Sequence, residues 1–307
     1  MMLFWLTLPL TAVSPVSTGL DPAEIVLSSD RTGFHQIYTM DVNGGAPSRL
    51  LETEREDRHP RWSPDGEWIA FESAGGGTRD VWIVRAGGAD SRRVTNDGCT
   101  GQPAWAPDGK RLVVVSTRSG APALWTIDLE SGREAPVSVG RAFCRWPDWS
   151  PDGTRIAFSS LADGDEEIFC WNLRDRTVER LTESSGADTR PRWSRDGAEI
   201  VFTRSSPRTG GSDMVMRMSS DGESVESPAV AMEDAGALRR AYVDRSVATW
   251  GGAKAADGAV VFTSIRGGNA DLFVIERGSS QVRQVTNSPA MEQDPDWRPR
   301  GAPRKER

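Results

Sequence analysis

Histidine and cysteine are nearly missing from this chain, two and three among 307 residues, and neither a C-x-x-C pair nor an H-E-x-x-H stretch occurs. A zinc site, which needs such residues clustered, is not expected, and no metal or cofactor is implied. Basic charge is short as well: the formal net charge of −7 leaves no dense cationic face for a phosphate backbone, so nucleic acid is not an expected partner. The exception is Arg298, Arg300, Arg304, Lys305 and Arg307, which read as a solvated end. Long apolar runs are also lacking. The one apolar stretch, before Ser14, is too short to span a bilayer and is followed by small residues. Residues 1–20 therefore read as a signal peptide or a disordered terminus, and export to the periplasm is expected although no Lys or Arg precedes the stretch.

Helical runs of Ala, Leu, Glu and Lys are scarce, whereas 31 glycines, 19 prolines and 12 tryptophans favour short strands and tight turns. The strands repeat. PRWSPDGEWIAFES from Pro60, PAWAPDGKRLVVVS from Pro103, PDWSPDGTRIAFSS from Pro147 and PRWSRDGAEIVFTR from Pro191 are one pattern, with tryptophans at 62, 105, 149 and 193 spaced 43, 44 and 44 residues apart. That period belongs to a four-stranded propeller blade. Pro-x-Trp supplies an inner strand whose indole packs between blades, and Asp-Gly a reversing turn. A third strand places an acid before an aromatic, as in Asp80 and Trp82, Glu167 and Phe169, Asp271 and Phe273. The fourth ends in Val94-Thr95, Leu181-Thr182 or Val285-Thr286.

Residues 23–51 supply strands two to four of a blade without the first, and Asp294-Pro295-Asp296-Trp297 supplies a first strand with no blade after it. Joining them closes the ring and removes two open sheet edges. Trp250 marks a degenerate copy with four extra residues before Asp257, so the expected fold is an all-β, six-bladed propeller over 21–301, with 302–307 as a basic tail. The surplus between Trp193 and Trp250 lies around 205–213 and 226–246, the latter with room for one short helix. It is either a partner-binding loop or a neutral insertion.

The residues ahead of Pro-x-Trp should crowd one mouth of the channel: Arg58 and His59, Gly101 and Gln102, Arg145 and Trp146, Thr189 and Arg190, Ser246 and Val247, Gln293 and Asp294. Three arginines, a histidine and an exposed aromatic suit a carboxylate or an acidic peptide. Alternatively, Arg58, Arg145 and Arg190 pair with Asp294, Asp148 or loop acids and hold blades together. Asp65, Asp108, Asp152, Asp196 and Asp257 precede turn glycines and are assigned to turn chemistry rather than catalysis or calcium. Cys99 and Cys144 occupy nearly matching places in adjacent repeats, as a disulfide or as two small buried thiols.

The words W-S-P-D-G, I-A-F-x-S and D-x-W at this period resemble the propeller repeat of TolB-type proteins, from Ala23 to Gly301. The resemblance implies a scaffold that binds a protein or peptide; TolB-type proteins carry an α/β domain ahead of the propeller, and a propeller-only relative is expected here. Similar propellers cap serine peptidases of the prolyl oligopeptidase type, but no G-x-S-x-G elbow with Asp and His after it is present, since His35 and His59 come too early. A non-catalytic, monomeric binding module without a membrane span is the leading expectation. A metal-borrowing lyase or esterase in the channel, and a propeller gating a separate hydrolase, are the alternatives.

Overall fold

A computed structural model describes residues 24–137, 140, 143–162, 164–205, 213–226, 249–254, 259–264, 269–275 and 282–299. Residues 1–20, Ser246, Val247, Asp257, the tail 302–307 and most of the 205–246 segment, with its expected helix, lie outside them.

The described strands form six four-stranded antiparallel sheets, and no α-helix occurs among the described residues. The innermost strands are Glu56–Trp62, Thr100–Trp105, Arg145–Trp149, Asp188–Trp193, Thr249–Lys254 and Glu292–Trp297. Each touches its neighbours around the ring. The first blade is composite: Glu292–Trp297 pairs with Glu24–Ser29, setting Trp297 opposite Ile25 and Glu292 opposite Ser29. Beyond the ladder, the Arg298 N–H donates to the Glu24 carbonyl at 2.8 Å and its guanidinium pairs with the Glu24 carboxylate at 2.6 Å. Arg298 is thus part of the closure and not of a solvated tail.

Apolar residues alternate into the spaces between sheets because successive strand side chains point to opposite faces. Trp62, Trp105, Trp149, Trp193 and Trp297 are all buried, each in a cluster between blades; Trp149, for example, packs with Val113, Leu124 and Phe158. The turn aspartates behave as local acceptors. Asp65 receives the Ser63 hydroxyl and the Glu67 N–H, and Asp108, Asp152 and Asp196 receive the N–H groups of Lys110, Thr154 and Ala198. Cys99, Cys144 and Cys170 form no disulfide, with Cys144 buried and Cys99 half-buried, so the disulfide alternative is not realised.

Blade six corrects the sequence reading. Lys254 stands opposite Val260, the place Trp62 holds opposite Ile69, and Trp250 stands opposite Thr263, the place Arg58 holds opposite Glu72. The tryptophan has moved four residues along its strand, so the four-residue excess before Asp257 disappears. The mouth positions of this blade are Trp250 and Gly251 rather than Ser246 and Val247.

Candidate functional site

Every innermost strand slips register midway, between Arg58 and Arg61, Gly101 and Ala104, Arg145 and Asp148, Thr189 and Arg192, and Trp250 and Ala253, while the composite blade slips between Val26 and Ser28 of the partner strand. At five of these bulges the residue before proline lies in the left-handed region: His59 (φ 53°), Gln102 (50°), Trp146 (53°), Arg190 (57°) and Asp294 (53°). Residues before proline ordinarily stay extended, and non-glycine residues avoid this region at a cost of about 1 kcal/mol or more each. Bulges re-aim side chains, and here five blades aim theirs at one another.

The result is a closed set of contacts across the axis. His59 Nδ1 lies 3.1 Å from Glu72 Oε2 and its Nε2 lies 3.6 Å from Asp294 Oδ2. Asp294 Oδ1 pairs with Arg190 Nη1 at 3.2 Å. The Arg190 guanidinium lies over the Trp146 ring at 4.2 Å, and the Trp146 edge meets the His59 ring at 4.9 Å between centroids. Gln102 joins through its backbone, donating its N–H to Glu72 Oε2 at 3.2 Å, while its side-chain oxygen accepts the Trp146 N–H at 2.9 Å. Trp146 is therefore half-buried rather than exposed.

Burial alone would raise the Glu72 carboxyl, but the hydrogen bond and charge of His59, Arg79 and the Gln102 N–H bring it below the usual carboxylate value. Asp294 behaves alike: burial opposes ionisation, and His59, Arg190, Arg61 and Arg58 overcome it. At the rim, Arg58 is half-buried and pairs with Glu56 at 3.1 Å, while Arg145 is exposed beside Glu166, whose carboxyl burial pushes upward against the pull of Arg145 and Arg190. Among the described residues, Arg190 with Asp294 is the one expected blade-holding pair that forms, and Asp148 pairs with Arg192 instead.

Two residues farther along the strands stands a second layer. Arg192 bonds Asp296 at 2.6 Å and lies 3.5 Å from Asp148, while Asp296 accepts the Trp62 N–H and Asp148 the Trp193 N–H, both at 2.8 Å. Burial, then the charge of Arg192, lowers Arg61 to a pKa of about 10. This layer floors a cavity of about 370 Å³ at the opposite mouth, collared by Pro64, Pro107, Pro151 and Pro299.

Sequence reasoning found the five bulge residues and missed Glu72. Its signal was present: the x of I-A-F-x-S is Ser159 and Thr203 in later repeats but Glu72 in the second blade. Glu72 fits because Gly101 faces it; a Cβ there would lie 2.1 Å from Glu72 Oε2. Among the described residues no group of three or more His, Cys, Asp or Glu could hold a metal ion, and no helix is long and apolar enough to cross a membrane.

The family described as the TolB beta propeller domain matches residues 14–116 and 99–242. An uncharacterized protein of Agrobacterium fabrum is 40% identical over 55 residues, 18% of this chain and 19% of its own. The Tol-Pal system protein TolB of Desulfosudis oleivorans is 31% identical over 65 residues, 21% of this chain and 15% of its own, so the chain matches less than a fifth of either curated relative. The crystal structure of TolB from Acinetobacter baumannii aligns with a TM-score of 0.75 at 19% identity, covering 91% of this chain and 67% of that one. At that identity the likeness shows the fold.

Proposed function

Because this chain belongs to the TolB β-propeller family, we propose that it is a non-catalytic scaffold in the periplasm whose channel mouth receives an acidic segment of a protein partner. The observation that carries this reading is the convergence of five strained bulge residues from five blades on one point. Strain of this kind is retained where the surrounding structure holds a surface ready for contact. Arg190 is the anchor. A carboxylate entering the mouth competes with Asp294 for its guanidinium and stacks its own backbone on Trp146, while exposed Arg145 and half-buried Arg58 steer it.

Topology adds a second support. The connections leaving Ser205 and Glu226 and returning at Asp213 and Thr249 start and end at the same face as the bulges, since each innermost strand begins there and each second strand ends there. The described ends of both segments thus open onto the face that carries the mouth.

The test is cross-linked capture of partners by the native protein against an Arg145→Glu, Arg190→Glu variant, with matched thermal melts to establish that the variant folds. Loss of the captured partner is the expected result. An unchanged partner set from a folded variant refutes the channel-mouth reading while leaving the scaffold standing.

A further inference from the structure

Away from the channel, the first, third and fifth blades share an internal device that the second blade lacks. In the first blade the buried acid Glu292 pairs with Arg31, whose guanidinium lies over Tyr38 at 4.8 Å. In the third, Thr100 at the same strand position takes a 3.3 Å bond from Arg118, which lies over Trp125 at 4.5 Å and pairs with Asp97 at 2.7 Å. In the fifth, Asp188 takes a two-pronged bond from Arg204 at 2.7 and 2.6 Å. Each buried acceptor thus meets a guanidinium held against an aromatic ring.

The second blade supplies the acid and the ring, but among the described residues no arginine pairs with the acid. Asp57 stands opposite Ser73 as Glu292 stands opposite Ser29, but two residues beyond that serine, where Arg31 and Arg118 occur, the chain has Gly75. Asp57 is fully buried; Oδ2 accepts the Thr53 hydroxyl at 2.6 Å, and Oδ1 meets no donor in hydrogen-bond geometry. A cleft of about 630 Å³ opens where the arginine would lie, lined by Gly75, Phe71, Trp82 and by Thr53 and Ser73, which bracket Asp57. Burial pushes the Asp57 carboxyl upward, and the Ser73 and Thr53 hydroxyls with the charges of Arg55 and Arg49 draw it back only in part.

We propose that this cleft, between the first and second blades, is a docking site for an arginine side chain of a partner polypeptide, which takes over Trp82 and against Asp57 the place Arg31 takes in the first blade. A guanidinium suits both halves, stacking on the indole face while its planar fork donates to the acid. Arg55 is the displaceable cover. It is exposed, lies across Gly75 with Cζ 5.4 Å over the Trp82 ring, and makes no side-chain hydrogen bond or ion pair among the described residues. The site does not depend on the channel-mouth reading.

Calorimetric titration with N-acetyl-arginine amide tests the assignment, with the neutral citrulline amide and free L-arginine as comparisons. The capped arginine should bind weakly, about millimolar for one side chain. It should bind more tightly to Arg55→Ala and about tenfold more weakly to Asp57→Asn. Gly75→Arg is the second variant, because a side chain there meets only the flexible Arg55; it should raise the melting temperature and abolish binding. Binding of the citrulline amide equal to that of the arginine amide overturns the proposal. So does tighter binding of free L-arginine, or no binding to either wild type or Arg55→Ala.

Discussion

Glu72 and Gly101 show how little room a mouth of this kind leaves to a single residue. The carboxylate bridges His59 and the Gln102 N–H only because the glycine opposite has no side chain. Gly101→Ala should push Glu72 out of both bonds and cost about 2–4 kcal/mol, measured by chemical denaturation. Combined with Glu72→Ala, the same substitution should add almost nothing, since the group it displaces is gone. Equal costs in the two backgrounds would contradict the contact. At this scale the sequence was least informative. A residue before proline reads as extended, so the left-handed bulges at His59 and Arg190 were invisible, and a glutamate in a strand does not announce that its neighbour blade has made space for it.

Among the elements, the acid at the head of the third strand of a blade acts as a clasp on the fourth. Glu167 accepts the Thr182 hydroxyl at 2.5 Å, the Ser184 N–H at 2.8 Å and Arg180 at 3.2 Å, while Thr182 accepts the Ile168 N–H at 2.9 Å. Asp80 with Thr95 and Asp271 with Thr286 repeat the scheme at 2.9 and 3.1 Å. Glu167→Ala should therefore cost about 3 kcal/mol by stranding three donors, seen as an earlier denaturation midpoint; a loss under about 1 kcal/mol would mean that water replaces the carboxylate. The acid-aromatic and Val/Leu-Thr words were legible in the sequence because each blade repeats them. Their joint purpose was not, because the bond links positions some fifteen residues apart. The sixth blade failed for a related reason: Trp250 matched the repeat by residue type, whereas the ladder assigns its strand position to a mouth residue and gives the core position to Lys254.

For the molecule as a whole, the ring closes on one strand, and that strand holds more than its own sheet. Besides the pairing of Ile25 with Trp297, Asp296 secures the Trp62 backbone in the second blade and Arg192 in the fifth. Deleting 291–307 should remove several ladder bonds at about 1 kcal/mol each and the burial of Trp297 at roughly 2–3 kcal/mol. Leaving Arg192 with Asp148 alone adds to that loss. A truncated chain that melts like its parent would speak against closure.

The same strand carries Asp294, the counter-ion of Arg190. Since it follows every other described strand in the chain, the blades made before it can stack while Arg190 still has no acid to set its pose. Closure of the ring and the pose of Arg190 should therefore be acquired in one step, so that a nick freeing this strand disturbs the mouth before it unfolds the remaining blades.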